Sequence, residues 1–199
     1  MSIVLEVAVF YGNSSIIETH QRSIHKILPE FDGFIDSIHA KGHKPSVWAD
    51  LVLWETLEQA KTASKTVQHD HRFGPYFGGI SRIDVFGHYQ GLDKRSFQTL
   101  ADAPIIELAG YEQNTDIAAR ENIHHALSDS SAALINILCS RIHGAEGAPA
   151  PDSLDLIGWK SMDDHHNAPK KILARYPKLA PVFDSSKDMT IIETFSNLR

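Results

Sequence analysis

Asp50-Leu51-Val52-Leu53-Trp54 is a short apolar stretch that returns later in the chain as Asp155-Leu156-Ile157-Gly158-Trp159. Further matches surround this pair in the same order: 6–8 with 107–109, 34–36 with 134–136, and 73–77 with 179–183. A period of about 100 residues is too long for a solenoid, whose units repeat every ~20–50 residues. The repetition therefore indicates a small domain present twice.

The composition is that of an ordinary globular protein, with 42% hydrophobic and 22% charged residues. The net charge of −6 and the lack of a Lys/Arg run argue against a nucleic-acid partner. The single cysteine, Cys139, rules out an internal disulfide framework and fits a reducing cytoplasm. No apolar run approaches the ~20 residues of a membrane span, so we expect a cytoplasmic protein without a membrane partner.

Apolar runs of strand length alternate with amphipathic helical stripes in each half. They predict strands at 3–11, 34–40, 48–54 and 83–89 in the first half, and at 105–111, 133–142, 154–160 and 189–195 in the second. Helices are predicted at 15–28, 56–68 and 116–127, and from 161 onward. Pro169 lacks an N–H, so a kink or restart of that last helix is expected near Asn167.

Each half thus has the order β-α-β-β-α-β, which predicts domains at 1–91 and 104–199. A linker at 92–103 joins them and contains a short helix. Such a unit forms a four-stranded antiparallel sheet with both helices on one face. Two copies can cover each other's bare face, so the predicted fold is α+β: two tandem ferredoxin-like repeats packed sheet to sheet as an intramolecular barrel. A monomer is then a pseudo-dimer, and further homodimerisation is left open.

The strand-ending tryptophans and the helices that follow them carry a family resemblance. Residues 54–60 read Trp-Glu-Thr-Leu-Glu-Gln-Ala, and 159–164 read Trp-Lys-Ser-Met-Asp-Asp. With the segments 73–77 and 179–183, they resemble antibiotic-biosynthesis-monooxygenase-like proteins of the dimeric α+β barrel superfamily. The resemblance implies a pocket between sheet and helices in each repeat. It also implies, for some members, oxidation of polycyclic aromatics without a cofactor.

Such chemistry needs an apolar cavity, a base and donors for the resulting anion. The first repeat supplies His69 or His71 as a base and Arg72 as an anion clamp. Trp54, Tyr76 and His88 are the expected pocket residues. The second repeat has 175–178 in place of the His-Asp-His-Arg segment, without a comparable base, so a small aromatic or lipophilic ligand is expected in the first repeat.

No cofactor or metal is predicted. Haem-degrading relatives place an iron-binding His on the helix after the Trp, where this chain has Ser64 and Pro169. His69 and His71, or His20 and His25, could offer metal donors, but solvated histidines are the favoured interpretation. Glycine-rich phosphate loops are missing as well.

Two functions remain open at this stage. One is a cofactor-independent monooxygenase; the other is a non-catalytic binding or stress-response module with the same fold. The tryptophans could be pocket walls or simply core, and the matched acids Glu6 and Glu107 could serve a pocket or face wet regions. An enclosed cavity beside Trp54 with a His or Arg directed into it would favour the enzyme.

Overall fold

The computed structural model describes residues 3–112, 117–130, 133–142, 150–180 and 189–198. These residues form eight strands and six helices. The strands are β1 (Val4–Gly12), β2 (Phe34–Gly42), β3 (Val47–Trp54), β4 (Ile80–Gln90), β5 (Ile105–Tyr111), β6 (Ile135–Arg141), β7 (Ser153–Trp159) and β8 (Met189–Asn197). The helices are α1 (Ser14–Ile27), α2 (Leu57–Val67), α3 (Gly74–Phe77), α4 (Lys94–Ala101), α5 (Ile117–Ser130) and α6 (Met162–Arg175).

The strands close into one antiparallel barrel in the order β1-β3-β2-β8-β5-β7-β6-β4. The first four strands are neighbours in the order β4-β1-β3-β2, and the last four in the order β8-β5-β7-β6. Short stretches of pairing join the two groups, through β2 with β8 and through β4 with β6. The predicted α+β barrel is confirmed. Part of one matched segment, 181–183, lies outside the described residues.

Side chains alternate along β3 between the barrel interior and the helices. Leu51 and Leu53 are buried in an interior core that draws apolar residues from all eight strands. Val52 and Trp54 belong instead to a separate cluster packed beneath α1 and α2. Because the two faces have different neighbours, a cavity on the helix side leaves the barrel interior untouched.

Helix α4 is part of the barrel core, although the sequence suggested only a short helix in a linker. Asp93 caps its first turn by accepting a hydrogen bond from the backbone N–H of Ser96 at 2.6 Å. Phe97 and Leu100 are buried within the interior core. The segment between the two groups of strands therefore contributes apolar side chains to both.

Helix α6 runs from Met162 to Arg175 as one helix that includes Pro169, so the predicted restart does not occur. Ser161 caps it by accepting a hydrogen bond from the N–H of Asp164 at 3.1 Å. Ala168 and Ile172 bury one face against the sheet. This packing holds the helix together where Pro169 lacks an N–H donor. Among the described helices, none is both long and apolar enough to traverse a membrane.

Candidate active site

A cavity of about 420 Å³ lies between the sheet and the helices of residues 4–90. This volume is in the range of small-molecule sites, which measure ~300–1,000 Å³. Most of the lining is apolar, and the aromatic members are Phe10, Trp54, Phe73, Tyr76, Phe77 and Phe86. The polar members besides Tyr76 are Glu6, His39, Asp50, Ser64 and Gln68. An apolar space with a few polar groups is typical of a ligand site.

Strand register brings His39 and Asp50 together on the sheet side of this cavity. Ala8 of β1 and His39 of β2 lie opposite Asp50 of β3, one on each side. Directly opposed residues in antiparallel strands have Cβ atoms ~4.5–5.5 Å apart on the same face. The imidazole and the carboxylate are therefore cross-strand neighbours.

Asp50 uses both carboxylate oxygens. Its Oδ1 lies 2.6 Å from His39 Nδ1, and its Oδ2 accepts a hydrogen bond from the Tyr76 hydroxyl at 2.7 Å. His39 is only 7% exposed, and its Nε2 is buried without a hydrogen-bond partner among the described residues. When Nδ1–H donates to the carboxylate, a neutral ring keeps its lone pair on Nε2. This is the arrangement of a general base oriented by a carboxylate.

Tyr76 acts as a donor in this group rather than as a base. Burial raises the pKa of its hydroxyl well above the ordinary value, and the negative charge and hydrogen bond of Asp50 add to the increase. The phenol therefore stays protonated at neutral pH and fixes the carboxylate of Asp50. The Tyr76 ring also packs edge-on against Phe10, with centroids 6.1 Å apart.

His39 also lines a second cavity of about 210 Å³, together with His25 and Ser37. The His25 and His39 rings meet edge to face with centroids 5.7 Å apart. His25 Nδ1 lies 3.0 Å from the Ser37 hydroxyl. The His39 imidazole thus borders both the aromatic cavity and a more polar space.

A second carboxylate–imidazole pair lies at the β4 side of the aromatic cavity. His88 of β4 is directly opposite Glu6 of β1, and its Nε2 lies 3.1 Å from Glu6 Oε2. His88 is buried, whereas Glu6 itself lines the cavity. The carboxylate is therefore presented to the cavity with the imidazole adjoining it.

Trp54 forms part of the cavity wall and carries an unused donor. Its ring meets Phe34 edge-on, with centroids 5.9 Å apart. The indole Nε1 is buried and has no partner among the described residues. A buried N–H without a partner destabilises a protein by about 1–3 kcal/mol.

The second half has a smaller cavity of about 160 Å³ at the matching place, but its polar groups partner one another. Arg120 Nη2 donates to Asp155 Oδ1, and His124 Nε2 lies 3.0 Å from the same oxygen. The Trp159 indole donates to Glu107 Oε2 at 3.0 Å. Asp155 and Glu107 are thus engaged by protein donors.

Burial and neighbouring charges together set the ionisation of Asp155 and Tyr111. Burial by itself would raise the pKa of Asp155, but hydrogen bonds from His124 and Arg120 hold it below its usual range. The guanidinium lies 3.8 Å from the centroid of the Tyr111 ring. Burial raises the pKa of the Tyr111 hydroxyl, and the charge of Asp155 raises it further. This arrangement is a structural ion pair rather than an available base.

The structure brings some of the predicted site residues together and leaves others outside. Trp54 and Tyr76 line the aromatic cavity, while His88 adjoins it through Glu6. His69 is exposed and borders only a shallow surface depression.

His71 and Arg72 also lie outside the aromatic cavity. Asp70 caps the 3₁₀ turn His71–Phe73, which buries Phe73 and leaves the His71 side chain 95% exposed. Arg72 is paired with Asp70 and with Glu30, each at 2.7 Å. The base and the anion clamp predicted from the sequence are therefore surface groups outside the aromatic cavity.

Sequence reasoning missed His39 as the partner of Asp50. Both residues belong to predicted strands, and an Asp within a run as apolar as β3 was a sign of a specific partner. The pairing depends on the register of β2 against β3, which residue types alone do not fix. Within the described parts of the chain, no group of three His, Cys, Asp or Glu side chains could hold a metal ion.

Several solved structures share the fold of this chain. An anthrone oxidase-like protein matches with a TM-score of 0.60 and 12% identity, over 100% of this chain and 92% of that one. A Lactobacillus acidophilus protein provisionally assigned as a monooxygenase matches with a TM-score of 0.56 and 11% identity, over 99% and 94%. A haem-binding protein from Thermus thermophilus matches with a TM-score of 0.56 and 8% identity, over 100% and 91%. No protein-family model and no curated protein matches the sequence.

Because one of these neighbours binds haem, the fit of haem to this chain can be tested on its residues. Ser64 lines the large cavity and Pro169 the small one, at the helical positions where the resemblance would place an iron ligand. Neither residue offers an imidazole nitrogen. His39 does line the large cavity, but it comes from the sheet and its Nδ1 is held by Asp50. The residues do not fit the haem arrangement that the resemblance implies.

Proposed function

We propose that the protein is a cofactor-independent monooxygenase that oxidises a small aromatic compound in the 420 Å³ cavity, with His39 as the base. The observation that carries this proposal is the His39–Asp50 pair, with its 2.6 Å contact and an unpartnered Nε2 beside aromatic side chains. Trp54 supplies an N–H that has no acceptor among the described residues and can hold an oxyanion.

The proposed reaction needs only the substrate and dioxygen. His39 Nε2 removes the acidic proton of an aromatic enol or phenol, and the resulting anion is stabilised in its carbanion form. Dioxygen adds to the carbanion carbon and becomes a peroxide, which takes back a proton from the His39 imidazolium. Loss of water then converts a CH₂ group, or the matching ring CH of a phenol, into C=O. Overall, one dioxygen gives one carbonyl oxygen and one water.

The same proposal assigns the unequal roles of the two halves. We interpret the chain as two tandem ferredoxin-like repeats, 1–91 and 104–199, in which the first holds the ligand and the second mainly completes the barrel. The recurrence of β-α-β-β-α-β along 4–90 and 105–197 supports the duplication. The difference in cavity volume and the Arg120–Asp155 ion pair support the single active pocket.

Anthrone is a suitable first probe, because its acidic methylene becomes a carbonyl when dioxygen converts it to anthraquinone and water. We expect the protein to consume dioxygen and form anthraquinone in equal amounts at neutral pH. A His39→Gln variant should lose about 10²–10⁴-fold in rate, the usual contribution of a general base. His165→Gln, which alters a histidine of the small cavity, is the matched control and should keep full rate.

The outcomes separate the two candidate functions. Saturable binding of anthrone without dioxygen uptake would identify a binding module instead of an enzyme. Oxidation at the same rate in the wild type and in His39→Gln would exclude His39 as the base.

A further inference from the structure

We propose that Glu6 is a second recognition residue of the same cavity, which accepts a hydrogen bond from a hydroxyl on the ligand edge remote from His39. This inference rests on the proposed function and adds the substrate class: an aromatic compound with two hydroxyl groups on opposite edges. His88 is the positioning residue that holds Glu6 for this role.

The contacts of Glu6 leave some of its hydrogen-bond acceptor sites unused. Among the described residues, Glu6 has one hydrogen-bond partner, His88, whose Nε2 lies 3.1 Å from Glu6 Oε2. His88 is 1% exposed, so the position of the imidazole is fixed by burial. A carboxylate has two oxygens and about four acceptor sites. Glu6 lines the cavity and can therefore accept a further bond from a ligand.

The matching carboxylate in the second half has a different set of donors. Glu107 Oε2 accepts from the Trp159 indole at 3.0 Å and lies 3.4 Å from His165 Nε2. Opposite Glu107 in the neighbouring strand is Thr194, where Glu6 has His88. In the first half the His88 imidazole is therefore the hydrogen-bond partner of the glutamate, whereas in the second half the Trp159 indole is.

One consequence is that Glu6, an acceptor, and the Trp54 indole, a donor, are not hydrogen-bonded to each other in the aromatic cavity. Glu6 is bound by His88, and the Trp54 Nε1 has no partner among the described residues. In the second half the corresponding glutamate and tryptophan, Glu107 and Trp159, are hydrogen-bonded to each other. Glu6 has one neighbouring donor where Glu107 has two, so a bound molecule that offers a hydroxyl meets more free acceptor capacity in the first half.

The register sets Glu6 apart from the His39–Asp50 pair on the sheet. Asp50 lies opposite Ala8, two residues along β1 from Glu6. Diagonal neighbours of this kind are about 7–8 Å apart between Cα atoms. His39 is one strand further from Glu6. A ligand with hydroxyls at opposite edges of a ring system suits two groups that are set apart in this way.

Three naphthols test this geometry by isothermal titration calorimetry: 2-naphthol, 2,3-dihydroxynaphthalene and 2,6-dihydroxynaphthalene. The wild type should bind the 2,6-isomer at least about tenfold more tightly than the other two, as expected for a hydrogen bond to a charged acceptor. The 2,3-isomer has the same number of hydroxyls on a single edge, so it controls for polarity.

Variants then assign the preference to Glu6. Glu6→Gln should reduce the preference for the 2,6-isomer to about threefold or less, while its affinity for 2-naphthol stays within about threefold of wild type. His88→Thr, which installs the residue type of the second half, should reduce the preference in the same way. Glu107→Gln is the matched control and should retain it. The ratio of two affinities is unaffected by a general loss of stability, which thermal unfolding will report separately.

The results distinguish the two proposals. Equal affinity for all three naphthols in the wild type, with binding abolished in Trp54→Ala, would overturn the role of Glu6 and leave the cavity assignment in place. A preference that survives in Glu6→Gln would also overturn it. Failure of all three compounds to bind would overturn both the Glu6 inference and the proposed aromatic site.

Discussion

Asp50 and Asp155 occupy matching register positions, because each lies directly opposite an alanine of the neighbouring strand. Each carboxylate has an imidazole beside it, His39 for Asp50 and His124 for Asp155, but the third partner differs in chemistry. Asp50 accepts from the Tyr76 hydroxyl, whereas Asp155 accepts from the Arg120 guanidinium. A guanidinium remains charged at all ordinary pH values. One backbone position thus has a neutral phenol donor in the large cavity and a permanent counter-charge in the small one.

Asp50→Asn should inactivate the proposed base without removing it. An amide nitrogen facing His39 Nδ1 would donate to it, so the neutral ring would carry its proton on Nε2 and have no lone pair there. We expect a loss of about 10²–10⁴-fold in anthrone oxidation, measured with an oxygen electrode. Tyr76→Phe preserves the His39–Asp50 contact and should lose less. A rate for Asp50→Asn equal to that of the wild type would refute this account.

Trp54→Ala and Trp159→Ala test which half holds the ligand. Calorimetry with 2-naphthol should show binding lost in Trp54→Ala, because this ring walls the large cavity. Trp159→Ala should retain binding but unfold at lower temperature, since it loses packing and the hydrogen bond to Glu107. Loss of binding in Trp159→Ala alone would reverse the assignment. Equal and modest losses in both would show that the two rings are merely core.

Asp155→Asn should destabilise the fold at neutral pH by about 3–5 kcal/mol, because it leaves the buried Arg120 guanidinium without its counter-charge. The pKa of Asp155 is lowered in the folded protein, so the folded state binds fewer protons in acid than the unfolded chain does. The stabilisation by ionised Asp155 is fully present at pH values above the pKa of the carboxyl in the unfolded chain, about 3.9. It is lost as the pH falls through the lower pKa of Asp155 in the folded protein.

The pH dependence of that variant provides the measurement. Chemical denaturation should show that the free energy of unfolding of the wild type falls more steeply below pH ~4 than that of Asp155→Asn. The difference in free energy of unfolding between the two proteins should therefore become smaller in acid. Asp32→Asn alters an exposed carboxylate and serves as the control, with a change within about 0.5 kcal/mol. A difference in free energy of unfolding between wild type and Asp155→Asn that stays constant from neutral to acid pH would contradict the role assigned to Asp155.

Purified protein should show no stoichiometric haem, and haemin should not form a one-to-one complex with it. The reason is that Ser64 and Pro169 stand where the resemblance would place the iron ligand, and neither offers an imidazole nitrogen. Absorption spectroscopy during haemin titration is the measurement. A Soret band that saturates at one equivalent and disappears in His39→Gln would make His39 an axial ligand and reject the prediction.

Cys139 should resist alkylation until the barrel opens. Its side chain is fully buried on β6, and burial raises the pKa of the thiol to about 12. Because it is the single cysteine of the chain, the labelled fraction measured by mass spectrometry reports this site alone. Iodoacetamide at pH ~8 should react rapidly only in denaturant, where the thiol returns to its ordinary pKa of about 8.5. Rapid labelling of the native protein would show that the interior is open.

The strand and helix order could be predicted from sequence because each element has its own periodicity. Residues 50–54 illustrate this: their alternation indicates which side chains share a face. What local patterns could not supply was the relation between elements. Pairing His39 with Asp50 requires the register of β2 on β3, and the burial of Phe97 requires both groups of strands to be in place. Pro169 within α6 is a case where packing overrode a local preference.

The segment around His71 lies at the surface for a related reason. A His-Asp-His-Arg sequence contains suitable chemistry, but Asp70 acts there as a cap and pairs with Arg72. The hydrogen bond from Arg72 lowers the pKa of Asp70 to about 2, so this pair persists at neutral pH. Local hydrogen bonding thus engages the Arg72 guanidinium that the sequence offers as an anion clamp.

Alternation along β3 also separates two kinds of evolutionary constraint. Leu51 and Leu53 meet side chains of the opposite half, so any change in them is felt by the whole barrel. Asp50 and Trp54 line the cavity between the sheet and the helices of residues 4–90. Substitutions on that outer face can change what one half binds while the barrel core stays intact. A barrel of this construction can keep one half as a scaffold and leave the other free to acquire new ligands.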